Sequence, residues 1–346
     1  MPFDAPHAHH QSHKEGPVTH LTPPAIAPSG VELTHLLAHP QGQCDLEGLA
    51  AAISMQDLAF ECEGDGQLAQ HPAFPAAVRQ VIGSELMSTA SREALAGLPC
   101  PWGPACGLHV FFNGQSNKQM AGLACPWLVR TDSTGANSMR VTLRLFGLGQ
   151  LWCNSLGEAA HRALERGINL AGVKSACQGV LIRSVDRLWS PLQDPVPKAN
   201  RALVHFTTPF HGAASTEELM DSPSDRATVG SQFLSSLLSR AEDIARWHGL
   251  SLAVDRQMLD DAVASVQMTM DALDVSEWNR AISQSGTARI PMRGHTGLLQ
   301  LQLGPAPDPA LLRLLQIGSQ LHCGQDLAFG LGRYELFLTA DQDSSC

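Results

Sequence analysis

Met139-Arg-Val-Thr-Leu-Arg-Leu-Phe146 alternates apolar and polar side chains over its first seven residues, with Arg140 and Arg144 on one side and Val141, Leu143 and Leu145 on the other. A period of two is that of a strand with one face in a core. Leu58-Ala-Phe-Glu-Cys62 upstream is a short alternating strand by the same reading, and Trp127-Leu-Val129 and Val110-Phe-Phe112 are also expected to be extended. Pro72 to Met87 is periodic as a helix, and Ser155 can cap a second helix over 156–168. Gly179 to Trp189 then reads as a strand before Pro191, Pro195 and Pro197 form a linker.

The second half repeats the pattern. Ala202 to Thr207 reads as a strand and 228–248 as a strong amphipathic helix. Val263 to Met270 and Ile290 to Leu303 supply strands, the latter expected to fold back at Arg293-Gly-His-Thr-Gly297. A helix over 309–322 and a strand from Tyr334 to Leu338 close the chain. The order is β-α-β-β-α-β, twice. An α+β protein of two tandem ferredoxin-like βαββαβ domains is therefore expected, with an irregular His/Pro-rich arm over 1–45 and domains over 46–198 and 199–340.

Charge bounds the partners. The 346 residues carry 33 acidic and 23 basic side chains, a formal charge of −10, which taken whole argues against nucleic acid. By segment the picture changes: 4 basic against 11 acidic residues over 1–129, 10 against 5 over 130–201, and 9 against 17 over 202–346. The middle is a basic island, and 19 of the 23 basic residues are arginine, whose planar fork grips phosphate bidentately. No apolar run is long enough to span a membrane. The N-terminal stretch lacks a secretory or import pattern and the nine cysteines form no CxxC, so reduced thiols and a cytoplasmic location are expected. The arm's histidines have no sharp ligand spacing, and no metal or other cofactor is expected.

Gly324-Gln-Asp-Leu-Ala-Phe-Gly330-Leu-Gly332-Arg333-Tyr334 lies between the last helix and the last strand. It lacks the GK[ST] of a P-loop and follows a helix where a dinucleotide turn would open one. Its amides could cradle an anion with Arg333 beside them, or the glycines could serve turn geometry alone.

The stretch Leu315-Gln-Ile-Gly-Ser-Gln-Leu-His-Cys-Gly-Gln-Asp-Leu-Ala-Phe-Gly-Leu-Gly-Arg-Tyr-Glu-Leu336 resembles the C-terminal signature of the CRISPR repeat-RNA-processing endoribonucleases of the RAMP superfamily. Gly294-His-Thr-Gly-Leu298, and more loosely Cys100, Cys106, Phe111-Phe112, Leu128 and Leu143-Arg-Leu-Phe-Gly147, are similar too, so the resemblance covers roughly 55–340. It implies a protein that binds repeat RNA, often as a stem-loop, cuts it once without metal to give a guide RNA, and stays bound as a subunit of an effector complex. The chain departs from the family in its acidity and in the arm over 1–45.

Metal-free cleavage uses the adjacent 2′-OH as nucleophile and leaves a 2′,3′-cyclic phosphate, so it needs proton transfer and charge stabilisation. The resemblance puts that site between the first strand and first helix, where 64–78 hold one histidine, His71, the first candidate acid or base. His295 beside Arg293 is the second; His35, His39, His109 and His161 follow. Candidate RNA contacts are Arg140, Arg144, Arg162, Arg166 and Arg293, together with Gly324, Gly330, Gly332 and Arg333 of the loop, although Glu158 and Glu165 could equally satisfy Arg162 and Arg166. Two other readings stand beside this one: a hairpin-binding subunit that does not cut, and a cytosolic scaffold or metal-binding protein that uses the His-rich arm.

Overall fold

The structure is a computed structural model that describes residues 26–112, 124–170, 173–175, 178–185, 197–212, 223–281, 289–304 and 306–340. Its chain order begins α1 (Gly30–Ala38), β1 (Gly42–Cys44), α2 (Leu46–Ala52), β2 (Met55–Glu63), α3 (Phe74–Ser88), α4 (Arg92–Leu95), α5 (Gly107–Phe111), β3 (Trp127–Gly135) and β4 (Ser138–Phe146). It continues with α6 (Cys153–Glu165), β5 (Ile168–Leu170), β6 (Val173–Ser175), β7 (Gln178–Val185) and β8 (Arg201–Phe210). Last come α7 (Pro223–Trp247), β9 (Leu250–Leu252), α8 (Arg256–Ala264), β10 (Gln267–Ala281), β11 (Arg289–Gln302), α9 (Pro309–Leu321) and β12 (Tyr334–Thr339).

Two four-stranded sheets result, ordered β3-β4-β2-β7 and β10-β11-β8-β12, with every neighbour antiparallel. In each, the first and third strands of the repeat are central and the second and fourth lie at the edges, which is the ferredoxin-like order. Each sheet turns one apolar face to its helices. In the second, Phe206, Phe233 and Tyr334 pack edge to face with centroids 5.5–6.1 Å apart, and the Tyr334 hydroxyl donates to the Leu315 carbonyl at 2.6 Å. The two apolar faces merge into one core that runs from Leu33 to Tyr334.

Several expectations are corrected. Val110-Phe-Phe112 belongs to helix α5 and its C-cap; a three-residue apolar run has no period of its own, and Val110 and Phe111 are buried in the helix. Residues 30–44 of the supposed arm are ordered: Ser29 closes a capping box with Glu32 at the start of α1, Leu33 and Leu37 are fully buried, and β1 pairs in parallel with β9 of the second half. β11 does not fold back at Arg293 to Gly297, because those residues pair continuously with Glu277 to Leu273 of β10. The predicted strand from Val263 begins later, since 256–264 form α8. Residues 1–25 of the arm, with its first five histidines, and most of the proline linker lie outside the described residues.

Candidate nucleic-acid interface

The glycine loop is the seam between the two halves. Gly324, Gly330 and Gly332 all have positive φ (98°, 76° and 68°). A Cβ on Gly330 would stand 2.6 Å from Pro75 Cβ and 2.7 Å from the Val129 carbonyl oxygen, both in the first domain. Only glycine lets the second domain's backbone come this close. The amides of the loop are largely committed: Gly324 N–H donates to Ser236 Oγ, Gln325 N–H to the His211 carbonyl, Gly332 N–H to the Pro209 carbonyl and Arg333 N–H to Thr208 Oγ1. The glycines thus serve close packing, and these four amides are not free to cradle an anion.

Around the seam the predicted arginines are tied to carboxylates. Arg144, only 7% exposed, holds Asp57 bidentately at 2.7 and 2.8 Å and donates to Gln320 Oε1 of α9 at 2.9 Å, so it is a buried interdomain bridge and cannot grip RNA. The alternation of β4 does put it on the face opposite Leu143, but the second domain covers that face. Arg333 reaches back to Asp132 of β3 at 2.6 Å. Arg140 pairs with Glu61 and remains half-exposed. Arg162 and Arg166 converge on buried Glu85 of α3, with Arg162 also 3.8 Å from Glu158. Arg293 lies 3.6 Å from Glu277. Of these, Arg140, Arg162 and Arg166 keep enough surface to meet a phosphate.

The seam also holds groups that sequence reading missed. Half-buried Arg130, beside Arg333 and Arg144, has its pKa pushed down to about 10, mainly by desolvation. His322, fully buried with φ 60°, is held neutral by burial and then by Arg130, Arg333, Arg144 and Arg240 around it. A non-glycine residue in the left-handed region is strained and persists only where packing over-determines it. Nothing in local sequence marks these residues, because the groups around them come from both domains and from distant parts of the chain.

His71 follows a single 3-10 turn, Leu68–Gln70, just ahead of α3. Its Nδ1 accepts the Ala73 N–H at 3.1 Å, which assigns the neutral tautomer with the proton on Nε2, and burial of the ring lowers its pKa. The residue as a whole is nonetheless exposed. Ala73 packs with Leu331 of the glycine loop and with Trp278 and Met292 of β10 and β11, so three segments meet within two residues of His71. His295 is not part of this meeting. It lies three residues from Met292 on β11, and an odd separation sends the two side chains to opposite faces. Burial, and then Arg293, lowers its pKa. Of the remaining histidines, His109 is buried with Nε2 3.3 Å from the Gly30 carbonyl and His161 pairs with Glu165 at 3.2 Å. His35 and His39 meet edge to face at α1. No His/Cys/Asp/Glu group that could hold a metal occurs among the described residues, and no helix among them is long and apolar enough to cross a membrane.

No family model and no curated protein matches the chain. Solved structures do. A Cas6 product complex aligns with 82% of this chain and 99% of its own at 17% identity and TM-score 0.47. Thermus thermophilus Cas6 aligns with 83% of this chain and all of its own at 16% identity and TM-score 0.42. A partial Cas6-RT-Cas1–Cas2 complex aligns with 84% of this chain and 47% of its own at 11% identity and TM-score 0.42. In structure the chain is thus similar, over most of its length and at low identity, to Cas6 proteins.

Proposed function

We propose that the protein binds CRISPR repeat RNA and cleaves it without metal by attack of the neighbouring 2′-OH, leaving a 2′,3′-cyclic phosphate, and that it retains the product as a subunit of an effector complex. The observation that carries this reading is the meeting at the seam. The loop whose sequence bears the family resemblance packs, through Leu331, beside Ala73 and hence beside the loop that holds His71. His71 is the proton-transfer group. Its lowered pKa keeps it neutral near pH 7, but the lone pair that would take the 2′-OH proton is on Nδ1, facing the Ala73 amide. Binding of RNA therefore has to turn the ring and break that contact before His71 acts as base. Arg140 on β4, and Arg162 and Arg166 on α6, supply phosphate contacts by shape, so binding is dominated by the backbone and weakens with salt.

The test is incubation of the whole protein with repeat RNA in chelator, followed by analysis of the new 3′ end. The reading expects one cut and a cyclic phosphate. Tight binding that leaves the RNA intact would establish the non-cutting, hairpin-holding subunit instead.

A further inference from the structure

The second sheet has an open face, defined by register and burial. Ala202, Val204 and Phe206 of β8, Leu299 and Leu301 of β11 and Tyr334 of β12 point into the core beneath α7 and α9. The alternate residues point the other way and form three rows across the strands: Thr339–Arg201–Gln302, Phe337–Leu203–Gln300 and Glu335–His205–Leu298. Phe337, at the centre of the edge strand β12, is 50% exposed. An exposed phenyl ring offers a flat apolar face to whatever docks there.

The ring's surroundings indicate what that is. It does not belong to a broad apolar patch of the kind a protein partner buries. Half-buried Leu203 lies beside it and half-buried Leu298 two residues along β11 from Gln300, while the other six positions of the rows are hydrogen-bonding or ionisable groups: Gln300, Gln302, Thr339, Arg201, His205 and Glu335. Glu335 is the one carboxylate of the three rows and lies 3.6 Å from His205. Arg201, with its Nε on Gln302 Oε1, and exposed Lys198 place positive charge at one end of the face. One aromatic ring framed by amides and cations complements a flat ring with polar edges on an anionic backbone. The same face of β10 and β11 carries Trp278 and Met292 to the His71 neighbourhood, since Met292, Leu298 and Gln300 share a parity on β11.

We infer that the open face of the second sheet is a single-stranded RNA platform on which Phe337 stacks one unpaired base, with Arg201 meeting the phosphate beside it. The inference rests on the RNA-binding reading above and specifies which part of the RNA the second domain takes: an unpaired stretch next to the cleaved nucleotide, not the paired stem.

The experiment uses the full chain and an unstructured oligoribonucleotide of about eight nucleotides carrying one 2-aminopurine, a length set by the usual span of such surfaces. Kd is read by anisotropy and stacking by quenching of the 2-aminopurine. Phe337→Ala is expected to weaken binding about tenfold or more and abolish the quenching, while Phe337→Tyr keeps both, as loss of one base-aromatic stack requires. The same preparations are assayed for repeat-RNA cleavage and by sedimentation. If Phe337→Ala binds the oligonucleotide as tightly as the parent while the parent cuts repeat RNA, the platform is wrong and the function stands. A parent that neither binds nor cuts RNA overturns both. A parent dimer that Phe337→Ala converts to monomer overturns the platform in favour of self-association through β12.

Discussion

At the residue scale, two arginines that look alike in the sequence have different work. Arg140 and Arg144 alternate on one face of β4, yet Arg144 is enclosed with Asp57 and Gln320 while Arg140 lies in solvent with Glu61. Arg144→Ala leaves the Asp57 carboxylate enclosed without its partner and is expected to destabilise the fold by about 3–5 kcal/mol, against about 0–1 kcal/mol for Arg140→Ala; denaturant melts of the two variants separate them. Arg140→Ala should instead lower RNA affinity and flatten its salt dependence. Gly330→Ala adds a methyl group against Pro75 and Val129 at a φ that L residues rarely adopt, and should destabilise by about 2 kcal/mol or more, seen as a lower Tm. Asp243 provides a pH signature. Burial raises its pKa to about 6, so the carboxyl favours folding when protonated and its contribution is lost as pH rises through 6. The parent's Tm should fall between about pH 5 and pH 7.5 by more than that of Asp243→Asn, because only the parent carries this term.

At the element scale, the long periodic segments were legible and the short ones were not. β4, α7, α9 and β12 follow from alternation or helical periodicity because each buries one face against a large core. α5 was misread because Val110-Phe-Phe112 is too short to show a period. α1 and β1 were missed among prolines and histidines, since their stability comes from Leu33 and Leu37 in the core and from pairing with β9, some 200 residues away. Leu37→Ala is expected to cost about 2–5 kcal/mol in a denaturant melt, as for other fully buried leucines, whereas an irregular arm would tolerate it. The glycine loop was visible as a motif, but its role as a packed seam depends on Pro75 and Val129 of the other domain, which local sequence does not reveal.

At the scale of the whole molecule, the acidity of the chain conceals how its charges are arranged. Among the described residues, Arg140, Arg144, Arg162 and Arg166 of the basic middle segment are paired with Glu61, Asp57 and Glu85, so that segment is less of an open cationic track than its composition suggests. On the reading proposed above, RNA binding draws on the exposed arginines and the open sheet face together, with His71 where the domains meet. His295, on the opposite face of β11, should be dispensable. The central claim is tested most directly by single-turnover cleavage of repeat RNA in chelator, with enzyme in excess, by the parent, His71→Ala and His295→Ala at equal RNA occupancy. The account predicts a rate loss of about 10²–10⁴ for His71→Ala, as removal of a general acid or base gives, with His295→Ala near the parent rate; full-rate cutting by His71→Ala would contradict it.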